Sequence, residues 1–206
     1  MKKLSILIAD DHKIVRLGLK SLFAAERDLA VVGEAADGEE AVAEALRLRP
    51  DVVIMDLMMP KLDGVTATRE LHERLPSAKV VVLTSYSTSD TIAAALAGGA
   101  AGAVMKSADD DALFTAIRTV AAGKTFVSPE VRRILAVDPP APTLSPRQLE
   151  VLSAVIKGLN NTEIASLLGI SRTVAKEHVE ALLVKLGAAN RTELAAIASR
   201  KHLPGA

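Results

Sequence analysis

Apolar positions recur in two different rhythms along this chain. From Leu4 to about Ala122, short runs rich in β-branched residues, Leu4–Ala9, Ala30–Glu34, Val52–Met55, Lys79–Leu83 and Gly102–Met105, read as strands. The longer segments between them carry apolar residues at helical spacing. Strands that are apolar on both faces and joined by helical crossovers predict a parallel sheet covered on both sides, hence a doubly wound α/β domain. Five such runs match the flavodoxin-like count. Residues 1–125 form this first domain. Residues 126–142 read as a linker: Ser128-Pro129, a stretch over Glu130–Val137 with the spacing of a short helix, then Asp138-Pro139-Pro140-Ala141-Pro142, whose prolines make a stiff, extended connection.

Residues 143–206 are purely helical in pattern, and their helix starts are legible. Ser145-Pro146-Arg147-Gln148, Asn160-Asn161-Thr162-Glu163 and Asn190-Arg191-Thr192-Glu193 each place a capping side chain three residues before Gln or Glu. Pro146 occupies the favoured first helical position, and Gly158, Gly169 and Gly187 supply the stops. The expectation is an all-α domain of four helices, with the short turn Leu168-Gly169-Ile170-Ser171 between the second and third.

Composition narrows the chemistry. The chain has 206 residues, 50% of them hydrophobic, which is enough to bury the cores of two small domains. It has no cysteine, so disulfides and thiolate metal sites are excluded and any metal must sit on oxygen or histidine; a reducing cytoplasm is the expected compartment. The apolar run behind Met1-Lys2-Lys3 ends at once in Asp10-Asp11, as a strand does and a secretory signal does not. The uncharged stretch Thr91–Lys106 contains three glycines and falls short of the ~20 apolar residues of a membrane span. The formal net charge of zero conceals an asymmetry: 15 basic against 19 acidic residues through Glu130, then 10 against 6. A basic second half suits a phosphate-bearing partner.

In doubly wound folds ligands bind beyond the carboxyl ends of the strands. Asp10 and Asp11 follow the first strand, Asp56 the third, Thr84 and Ser85 the fourth and Lys106 the fifth, so all should meet at one sheet edge. Clustered carboxylates favour a hard divalent cation; Mg²⁺ takes few protein ligands and lets a phosphate complete its shell. Asp56 is the candidate nucleophile, with Lys106 and the metal neutralising charge on a transferring phosphoryl group and the Thr84 hydroxyl donating to it. An Asp pair alone is more often a helix cap. What raises the chemical reading is the coincidence of these residues after four different strands.

The segments Ile8-Ala9-Asp10-Asp11-His12, Met55-Asp56-Leu57-Met58-Met59-Pro60-Lys61-Leu62-Asp63-Gly64, Val81-Val82-Leu83-Thr84-Ser85-Tyr86 and Gly99-Ala100-Ala101-Gly102-Ala103-Val104-Met105-Lys106 resemble the receiver domain of NarL/FixJ response regulators. The resemblance implies that Asp56 accepts a phosphoryl group from a sensor histidine kinase. It also implies that Asp11, Asp56 and the Met58 carbonyl bind Mg²⁺ with help from Asp10, and that Thr84 and Lys106 contact the phosphoryl group. The chain departs from the family at Ala103, where an aromatic residue usually stands. A switch that relies on a ring following the threonine inward should therefore be shallow here, unless Tyr86 or the Thr84–Ser87 loop carries the signal.

Leu144–Leu152, Gly158–Ala165 and Lys185–Glu193 resemble the LuxR-type helix-turn-helix domain. That likeness implies DNA binding, transcriptional regulation and an active homodimer, with the helix from about Arg172 to Leu186 in a major groove. Winding it at helical pitch buries Ala175, Val179, Leu182 and Leu186 and turns Arg172, Thr173, Lys176, Glu177 and Glu180 outward. The candidate DNA contacts are Arg172, Thr173, Lys176, Glu177, Lys185 and Arg191, of which Arg172, Lys185 and Arg191 resemble backbone contacts. The expected protein is not an enzyme beyond its own phosphoryl transfer and autodephosphorylation. An aspartyl-phosphate hydrolase would carry an acid where Met58 stands, and a flavin carrier would need aromatic stacking that Tyr86 and three phenylalanines scarcely supply.

Overall fold

The computed structural model describes residues 3–85, 88–142, 144–201 and 203. The chain divides into two compact units, Met1–Pro139 and Pro140–Ala206.

The first unit runs β1 (Leu4–Ala9), α1 (Lys13–Ala24), β2 (Leu29–Ala35), α2 (Gly38–Leu48), β3 (Val52–Met55), α3 (Gly64–Arg74), β4 (Lys79–Thr84), α4 (Ser89–Ala97), β5 (Gly102–Met105), α5 (Asp110–Ala121), β6 (Phe126–Val127) and α6 (Pro129–Val137). The strands pair in parallel in the order β2-β1-β3-β4-β5-β6. Side chains alternate across a strand, so each strand feeds two cores. Ile6, Ile8, Ile54 and Val104 face Phe23 of α1 and Leu113 and Ile117 of α5. Leu7, Val53, Met55 and Val80 face Ala41 and Ala45 of α2 and Ala67 and Leu71 of α3.

The five-stranded expectation is corrected by β6. Phe126 and Val127 pair with Gly102 and Ala103, and α6 then packs back on the same domain, its Val131 fully buried. The segment 126–137 expected to be linker is therefore part of the first unit, and the connection shrinks to the proline-rich residues that follow. A strand of two residues is too short to display alternation in the sequence, and only its partner β5 fixes it. Ser128 caps α6 by accepting from the Val131 amide at 3.3 Å, and Pro129 sits in the first turn.

The second unit contains α7 (Pro146–Ile156), α8 (Asn161–Leu168), α9 (Arg172–Leu186) and α10 (Arg191–Arg200) around a core that includes Leu152, Ile164, Leu182 and Leu194. Full capping boxes form at Ser145/Gln148 and Asn160/Glu163. At the third expected box, Asn190 accepts from the Glu193 amide, but Glu193 reaches past it to the Ala189 amide at 2.7 Å. Gly169 and Gly187 end α8 and α9 in the left-handed conformation. Among the described residues, no helix is long and apolar enough to cross a membrane.

Candidate functional site

The chain leaves β1 toward β2 on one side and returns to β3 on the other, so a crevice opens between the carboxyl ends of β1 and β3. Main-chain bonds carry the sheet one residue further and level the site: the Asp10 amide donates to Ala35, the Asp56 amide to Ala9 at 2.8 Å, and the Lys106 amide to Thr84 at 2.8 Å. Asp10 is 2% exposed and Asp56 5%, while Asp11 and His12 stand at the rim.

Lys106 joins the two buried acids. Its Nζ lies 2.5 Å from Asp10 Oδ2 and 2.8 Å from Asp56 Oδ2. Asp56 Oδ1 accepts from the Met58 amide at 3.5 Å, at the edge of hydrogen-bond range. Burial pushes the Asp56 carboxyl above the ordinary range, with Lys106 pulling it back and Asp10 pushing further. Burial also pulls the Lys106 ammonium down, but its bonds to Asp10 and Asp56 outweigh that and hold it above its usual value. The ammonium therefore stays charged and the Asp56 carboxylate is poorly hydrated, an environment that suits a nucleophile.

The structure brings Asp10, Asp11 and Asp56 together with His12: one ligand atom from each lies within 4.8 Å of the others. The three carboxylates of this set are hard donors that fit a divalent cation, and Met58 follows Asp56 closely enough for its main chain to flank the group. Thr84 ends β4, buried beside Lys106. Ala103, the expected switch position, is fully buried on β5 next to β6. Tyr86 lies outside the described residues.

In the second unit, Ala175, Val179 and Leu182 of α9 are buried and Leu186 is partly so, while Arg172, Thr173, Lys176, Glu177 and Glu180 are exposed. Lys176 lies 3.5 Å from Glu180, one turn on. Two of the expected phosphate contacts are engaged internally. Lys185 donates to Gln148 Oε1 at 3.0 Å; Arg191 donates from Nη1 to Asn161 Oδ1 at 2.7 Å and from Nη2 to the Leu159 carbonyl, tying α10 to the start of α8. Arg191 and Arg172 nonetheless line a recess of about 530 Å³ at the N-terminus of α8.

Residues 6–118 match the family model of the response regulator receiver domain, and residues 142–198 that of bacterial regulatory proteins of the luxR family. The chain belongs to the response regulators. It is 35% identical to the response regulator protein VraR of Staphylococcus aureus over 205 residues, covering 97% of this chain and 98% of VraR. A solved structure of the RcsB response regulator of Salmonella typhimurium superposes with a TM-score of 0.78 at 30% identity, covering 96% of this chain and 100% of that one. A structure of two RcsB dimers bound to two parallel DNAs gives 0.70 at 30% identity, covering 96% and 98%.

Sequence reasoning on this response regulator missed the groups that hold the acidic turn. Arg16 Nη1 donates to the Asp10 carbonyl at 2.7 Å and to the Asp11 carbonyl at 3.4 Å, and its Nε lies 3.3 Å from Glu34 Oε2. Lys20 holds the other oxygen of Glu34 at 2.5 Å, and that contact, with Arg16, lowers the Glu34 pKa. On the opposite side Lys61, with φ of 61°, reaches Asp37 Oδ2 at 2.6 Å and fixes the loop after Asp56 to the start of α2. The helical offset of Arg16 from the Asp pair was visible; a partner on β2 was not.

Proposed function

We propose that this chain is a two-component response regulator whose receiver is phosphorylated on Asp56 by a sensor histidine kinase and whose second unit binds double-stranded DNA to regulate transcription. The observation that carries this reading is the buried Asp10–Lys106–Asp56 bridge at the sheet switch point, in a chain that matches both family models. Mg²⁺ would be held by Asp10, Asp11, Asp56 and the Met58 carbonyl, and when bound it neutralises charge on the phosphoryl oxygens. The Asp56 carboxylate attacks phosphorus in line as the phosphorus–nitrogen bond of the donor phosphohistidine breaks, and the leaving imidazole takes up a proton. Lys106 redirects an ammonium hydrogen bond from the carboxylate pair to a phosphoryl oxygen, and the Thr84 hydroxyl donates a hydrogen bond to another. The protein's chemistry is confined to accepting this group and hydrolysing it, and it works in the cytoplasm.

The exposed arc of α9 enters the major groove, with Lys176 the base-reaching cation, Thr173 and Glu177 beside it, and Arg172 on phosphate. The recess shared by Arg172, Arg191 and the α8 N-terminus fits a backbone phosphate. The active form is a homodimer on two half-sites; RcsB likewise binds DNA as dimers. A titration of the full chain with duplex DNA over a series of salt concentrations tests this. Affinity falling steeply with salt and weakening by roughly 1–3 kcal/mol in Lys176→Ala supports it; salt-insensitive or absent binding, with and without a phosphodonor, contradicts it.

A further inference from the structure

Helix α6 is fastened to the α4–β5 face at three points. At its start, the Ser128 amide donates to the Ala103 carbonyl at 3.0 Å, extending the β5–β6 pairing. In its middle, Val131 is 0% exposed and shares a cluster with Ala103, also 0% exposed, and with Val82, Ile92 and Ala95. Ile134 and Leu135 pack around it, and Arg132 and Arg133 face outward. Beyond its last turn, Asp138 Oδ2 accepts from Ser89 Oγ, in the first turn of α4, at 2.8 Å.

This packing accounts for the small residue at 103. An aromatic ring there would need space that Val131 and its neighbours already fill, and a packed interior does not yield it without strain. The same face connects to the phosphorylation pocket by a short path: Thr84 ends β4, and five residues later Ser89 opens α4. A phosphoryl group on Asp56 that draws in the Thr84 hydroxyl pulls on the chain leading to Ser89. Ser89, which bonds Asp138, and Ile92 lie in the first turn of α4, with Ala95 of the same cluster in the next.

Resting on the phosphorylation of Asp56 put forward above, we propose that the α4–β5 face is a docking surface for the chain's own helix Pro129–Val137, occupied in the resting protein and vacated when Asp56 is phosphorylated. The linker helix takes the part of the missing aromatic ring, and its release frees the proline-rich connection to the second unit. Packed elements of this kind have discrete arrangements, so a small shift at Thr84 suffices to change which one is favoured. Detachment has a sharp signature. At nine residues α6 is too short to persist as a helix without its packing, so it melts when released.

Amide hydrogen exchange on the full chain, with and without acetyl phosphate and Mg²⁺, reads this directly. The expected result is that amides of residues 131–136 exchange about tenfold faster or more in the phosphorylated protein, with β1 and β3 unchanged, and that Asp56→Asn shows no response. Without phosphodonor, Ala103→Tyr and the exposed variant Asp138→Ala should each accelerate the same amides. Incorporation of phosphate with α6 exchange unaltered overturns the strap and leaves the acceptor assignment standing. Failure to incorporate phosphate removes the trigger and overturns both. Unaltered α6 exchange in Asp138→Ala and in a folded Ala103→Tyr refutes the docking contact itself.

Discussion

Lys106 donates a 2.8 Å hydrogen bond to Asp56 Oδ2 across a sequence separation of 50 residues, and the same ammonium reaches Asp10. One cation thus serves two buried carboxylates. Lys106→Ala leaves those buried acids facing each other without their shared cation, each keeping a main-chain amide from His12 or Met58, and should cost about 1–3 kcal/mol without unfolding the domain. Millimolar Mg²⁺ should restore much of the loss. Thermal melts with and without the ion check this; a variant as stable as the parent, and indifferent to Mg²⁺, would show that the bridge is not what balances the site.

Arg16 fixes the turn that carries the acid pair, and it does so through its fork, spanning Glu34 and two carbonyls. Arg16→Ala should weaken Mg²⁺ binding about tenfold by calorimetry, as loss of groups that orient metal ligands commonly does. Arg16→Lys should not rescue it, because a single ammonium cannot make the same planar set of bonds. Undiminished Mg²⁺ affinity in both variants would remove Arg16 from any positioning role.

The receiver pocket was legible in the sequence because parallel strands deliver their next residues to one edge: Asp10, Asp56, Thr84 and Lys106 fall where the spacing of the strands puts them. The four helices of the second unit were legible for a local reason, their capping side chains and glycine stops. What escaped was non-local. β6 is defined only by its pairing with β5; the short helix over Glu130–Val137 was legible and is α6, but that it packs back on the first unit instead of serving as linker was not. The loss of an aromatic at Ala103 looked like a deficit until Val131 was found beside it. Likewise the basic character of Arg191 signalled a phosphate contact, while its bonds to Asn161 and Leu159 depend on how α10 meets α8.

Two glycines at the site and one on α1 make a controlled contrast. A Cβ at Gly64 would sit 1.9 Å from the Asp56 carbonyl oxygen, and one at Gly38 would sit 2.1 Å from that of Leu62. Backbone cannot move aside cheaply, so Gly64→Ala should destabilise by about 2 kcal/mol or more and slow phosphorylation. A Cβ at Gly18, inside α1, would meet nothing within 4 Å. There Gly18→Ala should stabilise by roughly 0.5–1 kcal/mol. Chemical denaturation of both variants decides the matter, and equal effects would contradict the close approach at Gly64.

Asp37 links stability to pH. Its carboxylate accepts from Lys61 and caps α2 through the Glu40 amide at 2.9 Å, and the Lys61 bond first, then that amide, hold its pKa below 3.8. A depressed native value contributes stability above the unfolded pKa, lost as pH falls through the native one. Asp37→Ala should therefore cost about 1–2 kcal/mol near neutrality and progressively less below pH 3.8. Asp37→Asn, which keeps a capping oxygen but loses the exposed pair with Lys61, should cost about 0.5 kcal/mol. Melts across acid pH that show a constant gap between parent and Asp37→Ala would contradict this linkage.

Every switching step proposed for this chain begins with a phosphoryl group on Asp56. Intact-mass measurement after incubation with acetyl phosphate and Mg²⁺ tests that assignment most directly, run on the parent chain, Asp56→Asn and Asp10→Asn. The expected result is one added phosphoryl group in the parent, slower incorporation in Asp10→Asn because the metal site is weakened, and none in Asp56→Asn because an amide oxygen is not a competent nucleophile. Stoichiometric labelling of Asp56→Asn would contradict it.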